Sequence, residues 1–255
     1  MTQVLVGADP ELFWTNEKHL VSIIGKLGGN KHRNIPIDNE GNGVLEDNVA
    51  AEFNIPPANN AQAFVQSIQK NLIFLKDKAA SLGLSLAEGI AAASFPREEL
   101  DNPEAWIFGC EPDYNAWSGK MNMKPEADDP FLRSCGGHVH VGCTDVAPEQ
   151  LIRAMDIFLG VESTKKDRDT LRRKLYGKHG AFRYKPYGAE YRTLSNFWIW
   201  DQKETEWVFN QTQKAVAFAK ENHIPDDLQP LIEAAIDLGD ESAYTSVITM
   251  FPMIK

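Results

Sequence analysis

The sequence lacks the features that mark membrane proteins and nucleic-acid-binding proteins. No apolar run approaches the roughly 18 residues that a membrane span needs. There is no basic excess either, since 26 Lys and Arg face 36 Asp and Glu in 255 residues, which leaves a net charge of −10. That charge disfavours binding to nucleic acid or to anionic membranes. A hydrophobic content of 43% is instead typical of a globular protein.

Cysteine is scarce, and the three present (Cys110, Cys135 and Cys143) form no CxxC pair. An odd number cannot all pair with one another, which indicates a reducing compartment. With His138 nearby, Cys135 is a candidate nucleophile or zinc ligand, although a buried free thiol is the favoured interpretation. The first residues show no basic start, apolar stretch or cleavage site of a secretory signal, so we expect a cytoplasmic protein.

Neither nucleotide-binding fingerprint is present. GxxxxGK[ST] and GxGxxG are both missing, so any nucleotide has to be held through metals. The segment GKLGGNKH at 25–32 has the glycines without the spacing and is predicted to form a hairpin turn. Lys26 and Lys31 within it are kept as candidates to reach a phosphate.

The order of predicted elements favours an α+β fold in one domain over 1–255, with a C-terminal helical segment at about 203–255. Apolar spacing predicts helices at about 60–82, from Pro148 onward, and near 203–221 and 227–238. Because strands and helices do not alternate, we expect a mainly antiparallel sheet with helices on one side. The extended runs are QVLVG, ELFW, VLEDNVAAEFNI, AWIFGCEPDY, GGHVHVG and GAEYRTLSNFW.

Polar residues recur at every second position within these runs. Residues i and i+2 of a strand share a face, so each pair places two functional groups on the same side of the sheet. The opposite positions are apolar, which predicts one open polar face and one face packed on helices. The pairs are Asp9 and Glu11, Glu46 and Glu52, Glu111 and Asp113, His138 and His140, and Glu190 and Arg192.

Carboxylates gathered on one face call for cations. Two like charges 4 Å apart repel by roughly 4 kcal/mol at an effective dielectric constant near 20. A cluster of Glu11, Glu52 and Glu190 therefore needs neutralisation. Hard oxygen ligands with a single His select Mg²⁺ or Mn²⁺.

A basic stretch precedes the last of these pairs. Between Lys165 and Lys185 nine basic residues face two acidic ones, whereas the rest of the chain holds 17 basic and 34 acidic residues. Beside a carboxylate–metal face, such a stretch suits a polyphosphate, although a solvated helix face explains it equally well. The nine are Lys165, Lys166, Arg168, Arg172, Arg173, Lys174, Lys178, Arg183 and Lys185.

Several of these segments together resemble carboxylate–amine ligases of the glutamine synthetase and glutamate–cysteine ligase superfamily. They are most similar to phage-type amidoligases, the COOH-NH2 ligase type 2 group. The resembling pieces run in order over most of 5–200: GADPELF, DNVAAEFNIPPA, CEPDYNAW, RSCGGHVHVG and RRKLYGKHGAFRYKPYGAEYRTLSNFW.

The resemblance implies a glutamine synthetase-like catalytic domain whose sheet is open on one face and holds ATP through two or three Mg²⁺ ions. In the segment VLEDNVAAEFNI, Asp47 is as good a candidate for a metal ligand as its neighbour Glu46, although it lies on the opposite face of the strand. Arg192 matches the arginine that faces the transferred phosphate. The implied metal ligands are Asp9, Glu11, Glu46, Glu52, His138 or His140, and Glu190. The implied nucleotide-binding stretch contains Arg172, Arg173 and Arg183, and Lys174 and Lys185 are further candidates to bind the nucleotide.

The expected reaction forms an amide in two steps. ATP phosphorylates a substrate carboxylate to an acyl phosphate, which a small-molecule or peptide amine then attacks, and Glu111 or Asp113 accepts the amine's proton. The resemblance also implies a phage origin, hence the host cytoplasm. Two alternatives stay open: a metal-dependent hydrolase using His138 and His140, and an inactive nucleotide- or peptide-binding relative. The oligomeric state is not predicted.

Overall fold

The computed structural model describes residues 4–107, 113–123, 128–167 and 169–254, and these form the predicted α+β fold. A turn of π-helix at Asp156–Gly160 joins α2 to α3. The strands are β1 Leu5–Ala8, β2 Glu11–Leu12, β3 Trp14–Thr15, β4 Leu20–Val21, β5 Ile35–Pro36, β6 Gly43–Asp47, β7 Ala50–Asn54, β8 Ser85–Leu86, β9 Ala92–Ser94, β10 Tyr114–Asn115, β11 Leu132–Ser134, β12 Val139–Gly142, β13 Ala181–Lys185 and β14 Gly188–Tyr191. The helices are α1 Ala61–Ser81, α2 Pro148–Met155, α3 Val161–Lys166, α4 Leu171–Leu175, α5 Gln202–Glu221, α6 Gln229–Ile236 and α7 Glu241–Met250.

Two antiparallel sheets meet along the first strands of the chain. One has the order β1-β12-β14-β13-β10 and the other β2-β7-β6-β5. The Ile55 amide donates to the Ala8 carbonyl at 3.1 Å, and the Glu11 amide donates to the Gly136 carbonyl at 2.9 Å. The segment around Pro10 thus bonds to both sheets, which places their polar side chains next to each other. Two smaller antiparallel sheets, β4-β3-β8 and β11-β9, complete the strands.

The larger sheet has one apolar and one polar face, as the alternation predicts. His140 pairs with Glu190, and Glu190 pairs with Arg183, so these three side chains share a face. Val139, Tyr191 and their neighbours on the other face are fully buried in one cluster with residues of α1, α2 and α5. Burial of that face is what fixes the strand register, because a slip by one residue would turn the charges into the core.

The main predicted helices are confirmed, with their ends set by local chemistry. Asn60 caps α1 by accepting a hydrogen bond from the Ala63 amide at 2.9 Å. Gly83, with φ of +71°, follows its end. Helix α2 starts at Pro148, and α7 falls within the predicted C-terminal helical segment. Among the described residues no helix is long and apolar enough to cross a bilayer.

Three predicted extended runs were wrong in part. VLEDNVAAEFNI is a hairpin, since Asn48 adopts φ of +54° between β6 and β7. The run AWIFGCEPDY begins inside a 3-10 helix at Pro103–Trp106, not in a strand. Asn102 caps this helix, and its side chain accepts from the Glu104 amide. In GAEYRTLSNFW only Gly188–Tyr191 is strand, because the Ser195 hydroxyl caps a 3-10 helix at Asn196–Ile199.

Candidate metal and phosphate site

A first ligand cluster joins three strands of the large sheet. Asp9, His138 and Glu190 each offer a ligand atom, and these atoms lie within 4.8 Å of one another. His138 Nδ1 is 3.4 Å from Asp9 Oδ1 and 3.8 Å from Glu190 Oε1. Asp9 Oδ1 is buried, and no hydrogen bond reaches it within the described ranges. A buried carboxylate oxygen without a donor, facing an imidazole and a second carboxylate, fits a cation ligand set.

A second cluster lies beside the first and consists of carboxylates alone. Glu11, Asp47 and Glu52 also bring ligand atoms within 4.8 Å of one another. Glu11 and Glu52 are direct partners across β2 and β7. The Gly136 amide donates to Glu11 Oε2 at 2.7 Å, which fixes that side chain. Three partly buried carboxylates at this distance suit a hard divalent cation.

The electrostatics of the second cluster show the cost of leaving it unneutralised. Burial and, next in size, the negative charge of Asp47 raise the pKa of Glu11 to about 7. Burial, together with Asp9, Asp47 and Glu11, raises the pKa of Glu52 well above its ordinary value. Both carboxyls therefore hold their protons unusually tightly, and a bound cation would favour their ionised forms.

The carboxylates of the first cluster are ionised, because Arg192 and His140 lie beside them. Burial raises the pKa of Asp9, but His140 and His138 outweigh it and hold that pKa well below the ordinary range. Burial and Asp9 raise the pKa of Glu190, yet Arg192 and the two histidines bring it down to about 2. Burial and Arg192 lower the pKa of His138 to about 4, so its imidazole is neutral, as a metal ligand must be.

Glu46 corrects the predicted ligand set. Because β6 and β7 form a hairpin in which Leu45 pairs with Glu52, it is Asp47 that shares the face of Glu52. Glu46 points to the other side of β6. Its carboxylate accepts from the amides of Gly25, Leu27 and Gly28 at 2.5 to 2.9 Å. Glu46 therefore anchors a loop and joins neither cluster, and Asp47 takes its place.

The basic side chains on the same face gather around Glu190. Lys185 Nζ lies 2.8 Å from Glu190 Oε2, and Arg183 Nη1 lies 3.8 Å from Glu190 Oε1. Arg192 forms an ion pair with Glu190, and its Nε is 3.6 Å from Asp113 Oδ2. Arginine and lysine next to the first cluster provide the donors that an anionic ligand requires. Of the predicted acid–base pair, Asp113 contacts this group, whereas Glu111 lies outside the described residues.

Two arginines predicted to bind nucleotide are structural supports instead. The Arg172 guanidinium is buried and donates to the carbonyls of Thr193 at 2.9 Å and Arg192 at 3.1 Å. Arg173 is also buried, and its Nη2 lies 3.5 Å from Asp167 Oδ2. The terminal nitrogens named here are thus directed at the protein's own acceptors. Lys174 is exposed on α4.

His140 differs from His138 in its contacts. Its Nε2 lies 3.0 Å from Asp9 Oδ2, and its Nδ1 is 2.5 Å from the Tyr187 hydroxyl. The structure therefore favours His138 as the imidazole ligand and places His140 between Asp9 and Tyr187. Tyr187 was not predicted from the sequence, since a tyrosine in a turn carries no pattern that points to the site. Cys135 is fully buried beside Phe13 and Phe95, and burial raises the pKa of its thiol well above the ordinary value. This supports the buried-thiol interpretation.

The fold and the site together define an antiparallel α+β protein with paired carboxylate clusters beside basic side chains. Residues 129–249, just under half of the chain, match the family described as Phage phiEco32-like COOH.NH2 ligase-type 2. The resemblance to phage-type amidoligases is thereby confirmed. The family is one of carboxylate–amine ligases, enzymes that form C–N bonds. The matched segment contains His138, Glu190 and Arg192, whereas β1, β2, β6 and β7 precede it. A search among curated proteins found no match.

Proposed function

We propose that the protein is an ATP- and Mg²⁺-dependent ligase that forms an amide through an acyl phosphate. The observation that carries this proposal is the adjacency of two acidic clusters, where the two larger sheets meet, to a group of basic side chains. A carboxylate resists attack by an amine because its oxygen leaves poorly, and phosphorylation converts that oxygen into a good leaving group. The family name supports the ligase chemistry, and the clusters support the metal dependence.

The residues of the clusters fit two divalent cations. Asp9, His138 and Glu190 would hold one, and Glu11, Asp47 and Glu52 the other. The cations that these residues would hold, Mg²⁺ or Mn²⁺, would neutralise charge on the phosphate oxygens. A third ion, which the family resemblance allows, has no separate ligand cluster among the described residues.

The chain's own cations would bind and orient the phosphates. Lys185 and Arg183 lie along β13 next to Glu190, and Arg192 follows β14. When ATP binds, Arg192 exchanges part of its contact with Glu190 for the transferred phosphoryl group, whose developing charge it stabilises. Such an arginine is worth roughly 10³–10⁵ in rate in related phosphoryl transfers. Asp113, 3.6 Å from Arg192, would accept the proton of an attacking amine. The substrates are then a small-molecule or peptide carboxylate and an amine.

The hydrolase alternative has less support from the geometry. It requires His138 and His140 on one metal, yet only His138 joins a three-residue ligand group in the described part of the chain. An inactive nucleotide-binding relative would keep the same clusters, so experiment has to separate it from the ligase.

Calorimetry with a non-hydrolysable ATP analogue, with and without Mg²⁺, tests the proposal on the full chain. We expect Mg²⁺-dependent binding that weakens at least about tenfold in Asp47→Asn and in Glu190→Gln. Glu206→Gln, an exposed carboxylate on α5, is the matched control and should bind like the unmodified chain. Absence of binding in every condition would overturn ATP dependence.

Turnover is tested separately by measuring ADP release during a screen of carboxylate and amine pairs. ADP formation that requires both partners supports the ligase. Metal-dependent nucleotide binding without turnover on any pair favours the inactive relative. Hydrolysis without ATP favours the hydrolase.

A further inference from the structure

The second cluster already has a cationic neighbour supplied by the chain itself. Lys31 Nζ lies 3.0 Å from Asp47 Oδ1, and about half of the Lys31 side chain is exposed. Burial lowers the pKa of Lys31, but Asp47, Glu52 and Glu11 together raise it above the ordinary value. The contact with Asp47 thus places the ammonium beside the second cluster.

The loop that carries Lys31 is held in place from the other side of β6. Glu46 accepts hydrogen bonds from three backbone amides of this loop, at Gly25, Leu27 and Gly28. Gly25 and Gly28 have φ of +74° and +84°, which glycine adopts without strain. Glu46 thus fixes the loop backbone, while its neighbour Asp47, facing the opposite way, meets the lysine of the same loop.

The two clusters differ in how they are neutralised. Glu190 in the first cluster contacts Arg183, Lys185 and Arg192. Among the ion pairs between described residues, the contact with Lys31 is the only one that reaches the second cluster. A single ammonium on a flexible stem is thus the ion-pair partner of these carboxylates, through Asp47. It is a weaker partner for them than a divalent cation, because a half-exposed ion pair contributes little.

We propose that Lys31 occupies the cation position of the second cluster until a divalent cation binds there, and then contacts an anionic oxygen of the substrate. A divalent cation between Glu11, Asp47 and Glu52 would repel the ammonium 3.0 Å from Asp47. The Lys31 stem is long enough to turn away, and the loop held by Glu46 keeps it at the rim of the site. This inference rests on the proposed function, and it adds a substrate-contacting residue from the loop at 25–33.

The first measurement is the binding of Mn²⁺ to the full chain without nucleotide. Electron paramagnetic resonance reports the concentration of the free ion. In Lys31→Met we expect the Mn²⁺ site of the second cluster, identified as the one that Asp47→Asn removes, to tighten about threefold to tenfold, because a competing charge is removed. Lys76→Met is the control, since Lys76 is an exposed lysine on α1. It should bind Mn²⁺ like the unmodified chain. Asp47→Asn should lose most of that site.

The second measurement uses the Mn²⁺ complex of inorganic triphosphate as the anionic probe, at saturating Mn²⁺. Under these conditions Lys31→Met should bind the probe about threefold or more weakly, the opposite direction to its effect on the metal. Lys31→Gln, which keeps a polar end, should behave like Lys31→Met in both measurements, and circular dichroism verifies that each variant is folded.

The outcomes separate this inference from the proposed function. If the chain binds Mn²⁺ and Asp47→Asn loses it, but Lys31→Met leaves the affinity unchanged, the role of Lys31 is overturned and the metal site stands. Unchanged triphosphate binding in Lys31→Met overturns the contact with substrate. If neither the unmodified chain nor Lys31→Met binds Mn²⁺, both this inference and the metal dependence are overturned.

Discussion

Glu11 and Glu52 lie directly opposite each other on neighbouring antiparallel strands. Like charges in that position destabilise a sheet, and Asp47 adds a third carboxylate to the same group. A fold that needed only stability would place apolar or oppositely charged partners here. The pairing therefore indicates that the second cluster is kept for a ligand, and the stability of the metal-free chain should show its cost.

Replacing Glu11 by Gln should stabilise the metal-free chain at high pH. Burial, with Asp47, raises the pKa of Glu11 to about 7 from an ordinary 4.5. The folded chain thus keeps a proton that the unfolded chain loses, so this carboxyl lowers the free energy of unfolding progressively between pH 4.5 and about 7. Above pH 7, Glu11→Gln should be more stable by up to about 3 kcal/mol, measured by urea unfolding with EDTA present.

The same comparison at pH 4.5 provides the control, because there the two chains should have nearly equal stability. A difference that does not depend on pH would show that Gln changes packing and that the charge of Glu11 is not the cause. Saturating Mg²⁺ should reverse the order, since only the unmodified chain keeps all the carboxylates of the second cluster.

Gly136→Ala should disrupt the first cluster while the fold remains. A Cβ on Gly136 would lie 2.1 Å from His138 Nε2, so the imidazole would have to move. Since Glu11 is also bonded to the Gly136 backbone, the two clusters would both shift. We expect at least a tenfold loss of Mn²⁺ affinity with native far-UV circular dichroism. Equal Mn²⁺ affinity in the variant would show that His138 is not a ligand.

Asp156→Ala should be among the most destabilising substitutions in the chain. Asp156 is fully buried beneath β14 and accepts from Trp117 Nε1 at 2.7 Å, the Gly180 amide at 2.6 Å and the Tyr191 hydroxyl at 2.8 Å. Removing the carboxylate leaves these donors buried without an acceptor, which costs about 3 kcal/mol or more.

Urea unfolding measures this effect, and Asp77→Ala on the exposed side of α1 is the control. A loss below about 1 kcal/mol in Asp156→Ala would mean that water replaces the carboxylate.

Because Tyr191 and Thr193 flank Arg192, Asp156→Asn should also weaken binding of the ATP analogue, even if that variant stays folded at the assay temperature.

The pair of His179 and Asp237 should give a pH-dependent contribution to stability. Burial lowers the pKa of His179, but Asp237, 2.9 Å from its Nδ1, raises it above the ordinary value overall. The stabilisation is therefore present in full below pH 6.5 and is lost as the pH rises through the folded-state pKa. Asp237→Asn should lower the melting temperature clearly at pH 6 and much less at pH 9.

In the unmodified chain the His179 amide donates to Asp237 Oδ1 at 2.8 Å. Asp237→Asn keeps an oxygen at this position, so the backbone contact is preserved in the variant. A loss of stability that is equal at both pH values would assign the effect to that hydrogen bond and not to the charge of the imidazole.

Much of the site follows from the sequence, because strand alternation is a local property. The pairs at Asp9 and Glu11, at His138 and His140, and at Glu190 and Arg192 lie on one face wherever those segments are extended. The helix caps are local too, as at Asn60 before α1 and Pro148 at the start of α2. These features need only neighbouring residues in the chain.

Other features depended on contacts between distant segments. The choice of Asp47 over Glu46 came from a turn at Asn48, which changes which residues of β6 and β7 share a face. The role of Arg172 came from carbonyls at 192 and 193, about 20 residues away, which a sequence run of basic residues does not reveal.

The sequence by itself determined that carboxylates, imidazoles and guanidinium groups alternate with apolar side chains, because a strand's period of two is a property of its backbone. Only the tertiary structure decided how these residues are divided. It separated Asp9, His138 and Glu190 from Glu11, Asp47 and Glu52, and it brought Lys31 to the second group. The physical reason is that register and loop position are set by burial of the opposite face and by hydrogen bonds between strands far apart in the chain.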